Sequence, residues 1–439
     1  MYTHPIKSFE IKDQYIYSIT IIGVLFFTFG FVTWLNGSLI QFLKIACKLQ
    51  TDVQAFFVTF AFYMAYFFLA IPSAKILEKT GYKNGMALGL LVIAIGSLIF
   101  IPAANSRSFS LFLIGLFTQG AGLALLQTAS NPYISVIGTI ESAARRISIM
   151  GICNKTAGII APLMLSALVL KNATSLEEKI QQTTDVAIKE NLLNELTGRI
   201  VIPYIVIALV LLLLSFLIRQ SSLPEINSED EKSLTSETVK TVKTSIFQFR
   251  HLMLGVVCIF LYLGVEVMAG DAIGIYGKAI GISTDETKYF TTFTLMAMLV
   301  GYIIGIIAIP TYISQQGALK ISALLGVVFT TAVFFTTGYT AIIFIALLGL
   351  ANALMWPAIF PLAISRLGKF TPKGSALLVM GISGGAILPL IYAGLKGSGI
   401  GLSNHLSFFI CMLPCYLYIL FYATSGHKIY VQKSLQEKI

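Results

Sequence analysis

Long runs of apolar residues, separated by short polar segments, dominate the 439-residue chain. Most runs contain about 20 or more residues, which lets a helix cross a hydrocarbon core roughly 30 Å thick. Lipid offers no hydrogen-bond partners to backbone N–H and C=O groups, so segments that cross it are helical. The pattern predicts twelve membrane spans, six in each half of the chain: 17–43, 52–77, 85–104, 109–138, 144–170, 200–219, 252–277, 288–312, 318–337, 340–365, 374–395 and 403–424.

Two polar segments interrupt the series of spans and suggest how the chain is divided. The stretch 171–198 carries periodic Leu and Ile among polar residues and predicts a short helix outside the membrane. The stretch 220–249 is polar and predicts a flexible or partly helical linker. We therefore expect an N-terminal six-helix bundle at 1–219, a cytoplasmic linker at 220–249 and a C-terminal six-helix bundle at 250–439.

Composition supports a membrane protein and changes the interpretation of the charge. Hydrophobic residues make up 56% of the chain and charged residues only 11%, whereas soluble domains average roughly 45–50% and about 25%. A net charge of +10 would indicate a nucleic-acid partner in a soluble protein. Here, placing both termini in the cytoplasm puts about two thirds of the Lys and Arg residues on that side, as the positive-inside rule requires. We expect cytoplasmic termini, a lipid bilayer around the chain and no nucleic-acid partner.

An internal repeat relates the two halves. Met150–Ile152 recurs as Met380–Ile382, and Phe31–Ser38 aligns with Gly264–Asp271 at nearly the same offset. Six-plus-six repeats with a central loop are typical of transporters, whose substrate site lies between the halves near the middle of the membrane. The repeat therefore predicts a site at the interface of two bundles.

Three ionisable residues lie well inside predicted spans: Lys155, Glu266 and Asp271. A charge at the centre of a membrane helix costs about 2.5–3.5 kcal/mol on insertion scales, so it faces a cavity or a partner. We expect Lys155 to pair with Glu266 or with Asp271 across the halves and to take part in cation coupling. The alternative is a static pair that only stabilises packing. Several glycines near Glu266 predict an irregular stretch whose freed carbonyls suit Na⁺, while the carboxylates also suit H⁺.

Neutral polar and aromatic residues inside the spans indicate a sugar rather than an ionic cargo. Amides donate and accept hydrogen bonds as sugar hydroxyls require, and tryptophan rings stack on the C–H faces of a sugar. The alternatives are amides that join helices and tryptophans that anchor or pack. The candidate substrate-binding residues are Trp34, Asn36, Gln127, Asn131, Asn154, Asn352 and Trp356.

Motifs of other protein classes do not occur in the sequence. There is no Walker motif, H-E-x-x-H or G-x-S-x-G, so neither an intrinsic ATPase nor an intramembrane enzyme is indicated. The four histidines lie near predicted helix ends, which disfavours a histidine proton relay. We expect no catalytic residues, no metal and no cofactor apart from a coupling ion.

Several segments carry a family resemblance. The turn with Glu78, Lys79, Gly81 and Lys83 is similar to the acid–base–Gly–base cytoplasmic loop of the major facilitator superfamily, which changes conformation during transport. The segments LNGSLIQFLK, IPSAKILEKTGYKNG, LALLQTASNPY and MGICNKTAGIIAP resemble the fucose–galactose–glucose symporter family. FLYLGVEVMAGD, which contains Glu266, resembles the glucose/galactose transporter branch.

Two departures from the fucose permease pattern affect what the resemblance implies. That branch carries an aspartate where this chain has Gly37 and a glutamate where it has Gln127, and these carboxylates are its usual candidates for proton coupling and sugar binding. Asn36 and Asn154 do match, and the resemblance implies that they contact sugar. Asp271 aligns with Ser38 in the repeat, beside the missing aspartate, which suggests that the carboxylate has moved to the other half.

These observations and the resemblance together predict an all-α membrane protein with the major facilitator fold, twelve transmembrane helices in two six-helix bundles related by a pseudo-two-fold axis. The expected function is import of a neutral monosaccharide coupled to Na⁺ or H⁺ by alternating access, by a monomer in a bacterial inner membrane. Two alternatives stay open, an efflux transporter of drug-like molecules and a transporter-derived sugar sensor. The sequence leaves the identity of the sugar open.

Overall fold

The computed structural model describes residues 5–136, 143–171, 173–223, 245–397 and 400–428. All regular structure in these ranges is helical. The first half contains α1 (Pro5–Trp34), α2 (Asn36–Ala46), α3 (Asp52–Ser106), α4 (Phe109–Val136), α5 (Ala143–Leu168), α6 (Ala173–Gln182), α7 (Val186–Gly198) and α8 (Val201–Gln220). The second half contains α9 (Arg250–Gly270), α10 (Ile273–Ala279), α11 (Thr284–Thr287), α12 (Phe290–Ala308), α13 (Gln315–Phe335), α14 (Gly338–Asn352), α15 (Met355–Ile364), α16 (Thr371–Met380), α17 (Gly384–Lys396) and α18 (Asn404–Phe421). Short 3₁₀ turns lie at Ile246–Gln248, Gly368–Phe370 and Gly381–Ser383, and a π-helical turn at Tyr422–Gly426 follows α18.

The described helices make twelve membrane spans. Eleven helical stretches are long and apolar enough to cross a membrane. One of them, α3, is 55 residues long and holds two spans, because Gly81 interrupts it with φ 76° and ψ 167°. Glycine adopts this left-handed backbone without the steric cost of a Cβ atom. The predicted all-α membrane architecture with twelve spans is therefore confirmed.

The first span of each half is broken near its middle. In the first half, α1 ends at Trp34 and α2 begins at Asn36, so that Leu35 separates them. In the second half, α9 ends at Gly270 and α10 begins at Ile273. The irregular stretch predicted from the glycines of the second half is present, whereas the break at Leu35 was not predicted. The backbone angles stay helical at both places, with φ −63° and ψ −25° at Leu35 and φ −86° and ψ −33° at Asp271, so the interruptions do not unwind the spans.

Two short helices occupy the polar stretch between the fifth and sixth spans. The sequence predicts one short helix there, and the structure forms two, α6 and α7. Asp185 begins α7, because its carboxylate accepts hydrogen bonds from the backbone N–H groups of Ala187 and Ile188. Most of the predicted linker 220–249 lies outside the described residues.

Glycines allow spans within a half to approach closely. A Cβ atom on Gly122 in α4 would lie only 2.5 Å from the carbonyl oxygen of Gly89 in α3. Small residues at helix crossings give the close backbone contact that drives association of membrane helices. We call the side of the molecule where α1 begins the inner side, and the opposite side the outer side.

Candidate functional site

A cavity lies between the two halves, at the middle of the spans and in their inner part. The space between its walls, including the part that is open to solvent, is about 680 Å³. Both halves supply its walls. The lining residues are Phe26, Phe29, Thr33, Trp34, Tyr63, Tyr66, Gln127, Asn131, Ile147, Gly151, Asn154, Lys155, Tyr262, Leu263, Glu266, Tyr302, Trp356 and Ile382.

An ion pair between the halves forms one wall of the cavity. Lys155 Nζ on α5 donates to Glu266 Oε1 on α9 over 2.6 Å. Both side chains are buried, with 6% exposure each. Breaking a buried pair of this kind leaves an uncompensated charge, which is strongly destabilising. Of the two pairings expected from the sequence, the one with Glu266 is present.

Trp34 connects the ion pair to a candidate sugar-binding amide. The ammonium group of Lys155 lies 4.1 Å from the centroid of the Trp34 ring, where the electron-rich face attracts a cation. The indole Nε1–H of Trp34 donates to Asn154 Oδ1 over 3.2 Å. Asn154 Nδ2 in turn donates to the carbonyl of Phe26 over 3.4 Å. These contacts hold the amide and the indole at the cavity wall.

The other predicted amides of α4 also reach the cavity. Gln127 Nε2 donates to the hydroxyl of Tyr66 over 2.8 Å, and the Gln127 side chain is partly exposed at the cavity wall. Asn131 lies one turn further along the same helix face and is buried at the cavity. In contrast, Gln119 faces away and donates to Ser97 Oγ over 2.9 Å. One face of α4 therefore lines the cavity and another joins α3.

Aromatic rings make up much of the lining. Of these rings, the sequence predicted only Trp34 and Trp356 as site residues. Trp356 stacks against Phe360 with a centroid distance of 5.5 Å. The rings of Tyr63 and Tyr66 are stacked on one face of α3, 6.3 Å apart. Tyrosines prefer the membrane–water interfaces, so tyrosines three residues apart in mid-span were a signal of a polar cavity.

Three predicted site residues lie outside the cavity lining. Asn352 is fully buried and its Oδ1 accepts a hydrogen bond from Tyr416 within the second half. Asn36 is buried at the start of α2, and Asp271 is buried just after α9. The sequence does not show toward which neighbour a side chain on a membrane helix points. Amides and acids inside a bundle occur in the same apolar sequence context whether they face the cavity or a neighbouring helix.

On the outer side, ion pairs join the halves. Asp52 on α3 contacts Lys396 on α17 over 2.9 Å and also Lys44 of its own half over 2.5 Å. Lys278 at the end of α10 contacts Glu177 of the short helix α6 over 3.1 Å. None of the residues in these pairs lines the cavity.

Hydrogen bonds below these ion pairs close the outer part of the interface. Gln41 Nε2 donates to the carbonyl of Thr287 over 3.1 Å. Lys288 Nζ donates to the carbonyl of Leu170 over 3.1 Å. We call the contacts Asp52–Lys396, Glu177–Lys278, Gln41–Thr287 and Lys288–Leu170 the outer seal. The interface therefore holds a cavity in its inner part and a closed contact in its outer part.

The predicted conformational loop lies on the inner side, between the two spans of α3. Glu78 and Lys79 are exposed there, and Gly81 provides the left-handed turn. Lys83 Nζ donates to the carbonyl of Ser221, just after α8, over 3.3 Å. The loop is thus held to the inner end of the sixth span.

The geometry suits a neutral molecule with hydroxyl groups and an apolar face. The charges of Lys155 and Glu266 compensate each other, and the other lining residues are neutral. Amide and hydroxyl groups offer both donors and acceptors, and the rings offer flat apolar surface.

Comparison with known proteins agrees with this architecture. Residues 21–389 match the model of the Major Facilitator Superfamily. The chain is 33% identical over 420 residues to the glucose/galactose transporter of Brucella abortus (strain 9-941), covering 95% of this chain and 96% of the relative. It is 27% identical over 377 residues to the L-fucose-proton symporter of Escherichia coli (strain K12), covering 85% and 86%.

A solved structure shares the fold over nearly the whole length. The crystal structure of the superfamily transporter FucP in the outward conformation superposes with a TM-score of 0.75 at 26% sequence identity. The match covers 95% of this chain and 100% of that chain.

Proposed function

The chain belongs to the major facilitator superfamily, and on that premise we propose that it imports a neutral monosaccharide by alternating access, coupled to a cation. The relatives named above are a glucose/galactose transporter and a fucose-proton symporter, which favours a hexose or a related sugar as the cargo. The two bundles would rock about the central cavity and expose it in turn to either side of the membrane.

The observation that carries the proposal is the cavity between the halves. It combines a self-compensated ion pair, three amides and a set of aromatic rings within one space of about 680 Å³. A hydroxyl-rich ligand satisfies the amides and places its C–H face on a ring, whereas a charged ligand would meet no excess of opposite charge. The amphipathic, often cationic cargo of a drug exporter would favour an unpaired acid in the cavity, and Glu266 is paired with Lys155.

Roles of individual residues follow from their positions. We assign sugar binding to Trp34, Gln127, Asn131, Asn154 and Trp356, which line the cavity. Asn36 and Asn352 then act indirectly, by holding the helices behind the site.

The coupling cation is assigned to the ion pair and its surroundings. Lys155 and Glu266 lie on opposite halves, so any event that neutralises Glu266 releases Lys155 and loosens the contact between the bundles. The name of the fucose-proton symporter favours H⁺ over Na⁺. A ligand shifts the transport cycle only through its different affinity for the two states, and an ion pair that spans the moving interface provides that difference.

Orientation and organisation complete the proposal. The excess of Lys and Arg on the inner side favours cytoplasmic termini, and the bacterial relatives favour the inner membrane of a bacterium. Bundles at 1–219 and 250–439, joined by a cytoplasmic linker at 220–249, would move as units in a monomer. The loop with Glu78, Lys79, Gly81 and Lys83 would rearrange as the inner side opens.

Uptake by purified protein in proteoliposomes tests the function. Glucose, galactose, mannose, fucose and N-acetylglucosamine are offered under imposed H⁺ or Na⁺ gradients, together with counterflow of each labelled sugar. We expect counterflow of at least one sugar and accumulation driven by one of the two gradients. Glu266→Gln should abolish the dependence on the gradient. Failure of counterflow for every sugar would overturn the proposal.

A further inference from the structure

Asp271 is a buried acid that the sugar cavity does not use. It lies at the break between α9 and α10 with 1% exposure. Neither carboxylate oxygen has a partner with good hydrogen-bond geometry in the described residues, although the backbone N–H of Gly37 approaches the group. It faces the other half of the molecule: a Cβ atom at Gly37 in α2 would lie 3.3 Å from Asp271 Oδ1. The carboxyl group is therefore enclosed at the interface that must open during transport.

We propose that Asp271 is a proton-binding site, and that its protonation permits the outer ends of the two halves to close. This inference rests on the proposed alternating access and adds to it a second protonation site beside the ion pair, which controls closure of the outer side.

The surrounding charges leave an ionised Asp271 uncompensated. Among the described residues, the ionisable groups that interact with it are Glu266, Lys155 and Tyr63, and the backbone N–H of Gly37 also favours its charged form. Lys155 already forms an ion pair with Glu266 at 2.6 Å, so those two charges cancel. A negative Asp271 would add one charge without a counter-ion to a closed interface, at a cost of several kcal/mol by general estimates for buried ions. In the closed state the group is therefore neutral, which for a carboxylate means protonated.

The room around Asp271 favours a proton over Na⁺. A metal ion at a helix break is held by several oxygens, mainly freed backbone carbonyls. Here the carbonyls before the break accept hydrogen bonds from threonine hydroxyls: Thr291 donates to Gly270 over 2.8 Å and Thr294 donates to Ala269 over 2.7 Å. Packing is also tight, since a Cβ at Gly37 would approach Thr291 Oγ1 to 2.5 Å.

The position of Asp271 ties protonation to closure of the outer side. Along the interface it lies between the cavity, at Glu266, and the outer seal, at Gln41 and Thr287. When the outer ends separate, Gly37 moves away and water from the outer side reaches the carboxyl group, which then exchanges its proton. Closure of the outer side removes that water, so only the protonated, neutral form of Asp271 is compatible with the closed state. One proton is therefore bound at Asp271 each time the outer side closes.

Infrared spectroscopy of the purified full-length protein tests the site without sugar. Protein labelled with ¹³C at the aspartate carboxyl carbon is compared with unlabelled protein at neutral pH. We expect a band from the C=O stretch of a protonated carboxyl group that shifts with the label and disappears in Asp271→Asn. The band should remain in Glu266→Gln and in Asp185→Asn, an exposed control in which asparagine still caps α7.

Two results would overturn the proton site. One is the lack of a label-sensitive band in the unsubstituted protein, or its persistence in Asp271→Asn. The other is loss of the band on replacing choline by Na⁺ at constant pH, which would indicate a sodium site. If Asp271→Asn does not fold, two measurements remain. The shift of the band with the label shows that an aspartate carries the proton, and persistence of the band in Glu266→Gln shows that the proton does not depend on Glu266. Because no sugar is present, a negative result leaves the proposed sugar transport untouched.

The link to closure is tested by a distance across the outer side. Spin labels are attached to cysteines introduced at the exposed positions Ala187 and Thr337, after Cys47 and Cys153 are replaced by serine. Since closure binds one proton, the ratio of closed to open molecules should fall by up to about tenfold per pH unit as the pH rises through the titration of the open state. Asp271→Asn, which cannot ionise, should abolish this dependence. A ratio independent of pH in the unsubstituted protein would contradict the proposal.

Discussion

The interface between the halves contains two regions built on different principles. In its inner part, aromatic rings and amides surround a space of about 680 Å³, with Lys155–Glu266 at its edge. In its outer part, the outer seal joins the same two halves by ion pairs and hydrogen bonds, and Gly37 of one half packs against the Thr291 side chain of the other. Both regions are polar. The polar groups of the inner region surround a space, whereas those of the outer region contact each other directly. The difference indicates that the outer side is closed in this conformation and that the substrate region lies inward of the closure.

The largest expected effect comes from the ion pair at the boundary between the two regions. Lys155→Met leaves the buried Glu266 without its partner, so we expect a loss of about 3–5 kcal/mol in stability and loss of cation-dependent transport. Thermal denaturation in detergent and proteoliposome uptake measure these effects.

The matched control removes both charges at once. Lys155→Met combined with Glu266→Gln should recover most of the stability, since no uncompensated charge remains, but not the cation dependence. If Lys155→Met alone left both transport and its cation dependence intact, the pair would serve packing only.

The next effect concerns the outer region, where Gly37 packs against Thr291. Gly37→Ala would place a methyl carbon 2.5 Å from Thr291 Oγ1, and overpacking of this kind costs about 1–3 kcal/mol. Because the clash occurs only when the outer ends are together, we expect a shift toward the outward-open state, seen as a longer distance between labels at Ala187 and Thr337.

Gly198→Ala is the control for that substitution, because a Cβ atom at Gly198 meets no atom within 4 Å. It should leave the distance distribution unchanged. An unchanged distribution in Gly37→Ala as well would show that the outer contact at Gly37 does not limit opening.

A smaller effect, on sugar affinity, is expected from a substitution in the cavity wall. Gln127→Ala removes a hydrogen-bonding group from the cavity wall, and a typical hydrogen bond contributes about 0.5–1.5 kcal/mol, which weakens sugar binding by about two- to tenfold. Gln119→Ala, on the same helix but bonded to Ser97 away from the cavity, should lower stability without changing sugar affinity. Isothermal titration of both variants makes the comparison, and equal losses of affinity would remove Gln127 from the site.

The smallest effect is expected at the rim of the outer seal. Asp52→Asn weakens its pairs with Lys396 and Lys44, and ion pairs near the surface contribute about 0.2–1 kcal/mol. We expect a slight shift toward the outward-open state that decreases further at high salt, because screening already weakens the pairs. A shift as large as that of Gly37→Ala would indicate that the ion pairs, rather than the packing, hold the outer side closed.

The sequence predicts the fold more completely than the site. The spans follow from apolar runs and the length of a helix across lipid, and the break after α9 follows from clustered glycines. The pairing of Lys155 was predicted because charges are rare inside spans, although two partners fitted. The orientation of Asn36 and Asn352 was not predictable, since amides that join helices and amides that line a cavity occur in the same apolar context. Tyr63 and Tyr66 were overlooked because tyrosine is compatible with packing, with interfaces and with ligand contact.

Intrinsic tryptophan fluorescence can test directly whether the space between the halves binds a neutral monosaccharide. The chain contains two tryptophans, and both Trp34 and Trp356 line the cavity. Tryptophan fluorescence of the purified protein, titrated with each sugar of the panel, should show a saturable change with at least one sugar, reduced in Trp34→Phe and in Trp356→Phe. A fluorescence signal that no sugar changes, from protein that is folded and carries both tryptophans, would contradict the account.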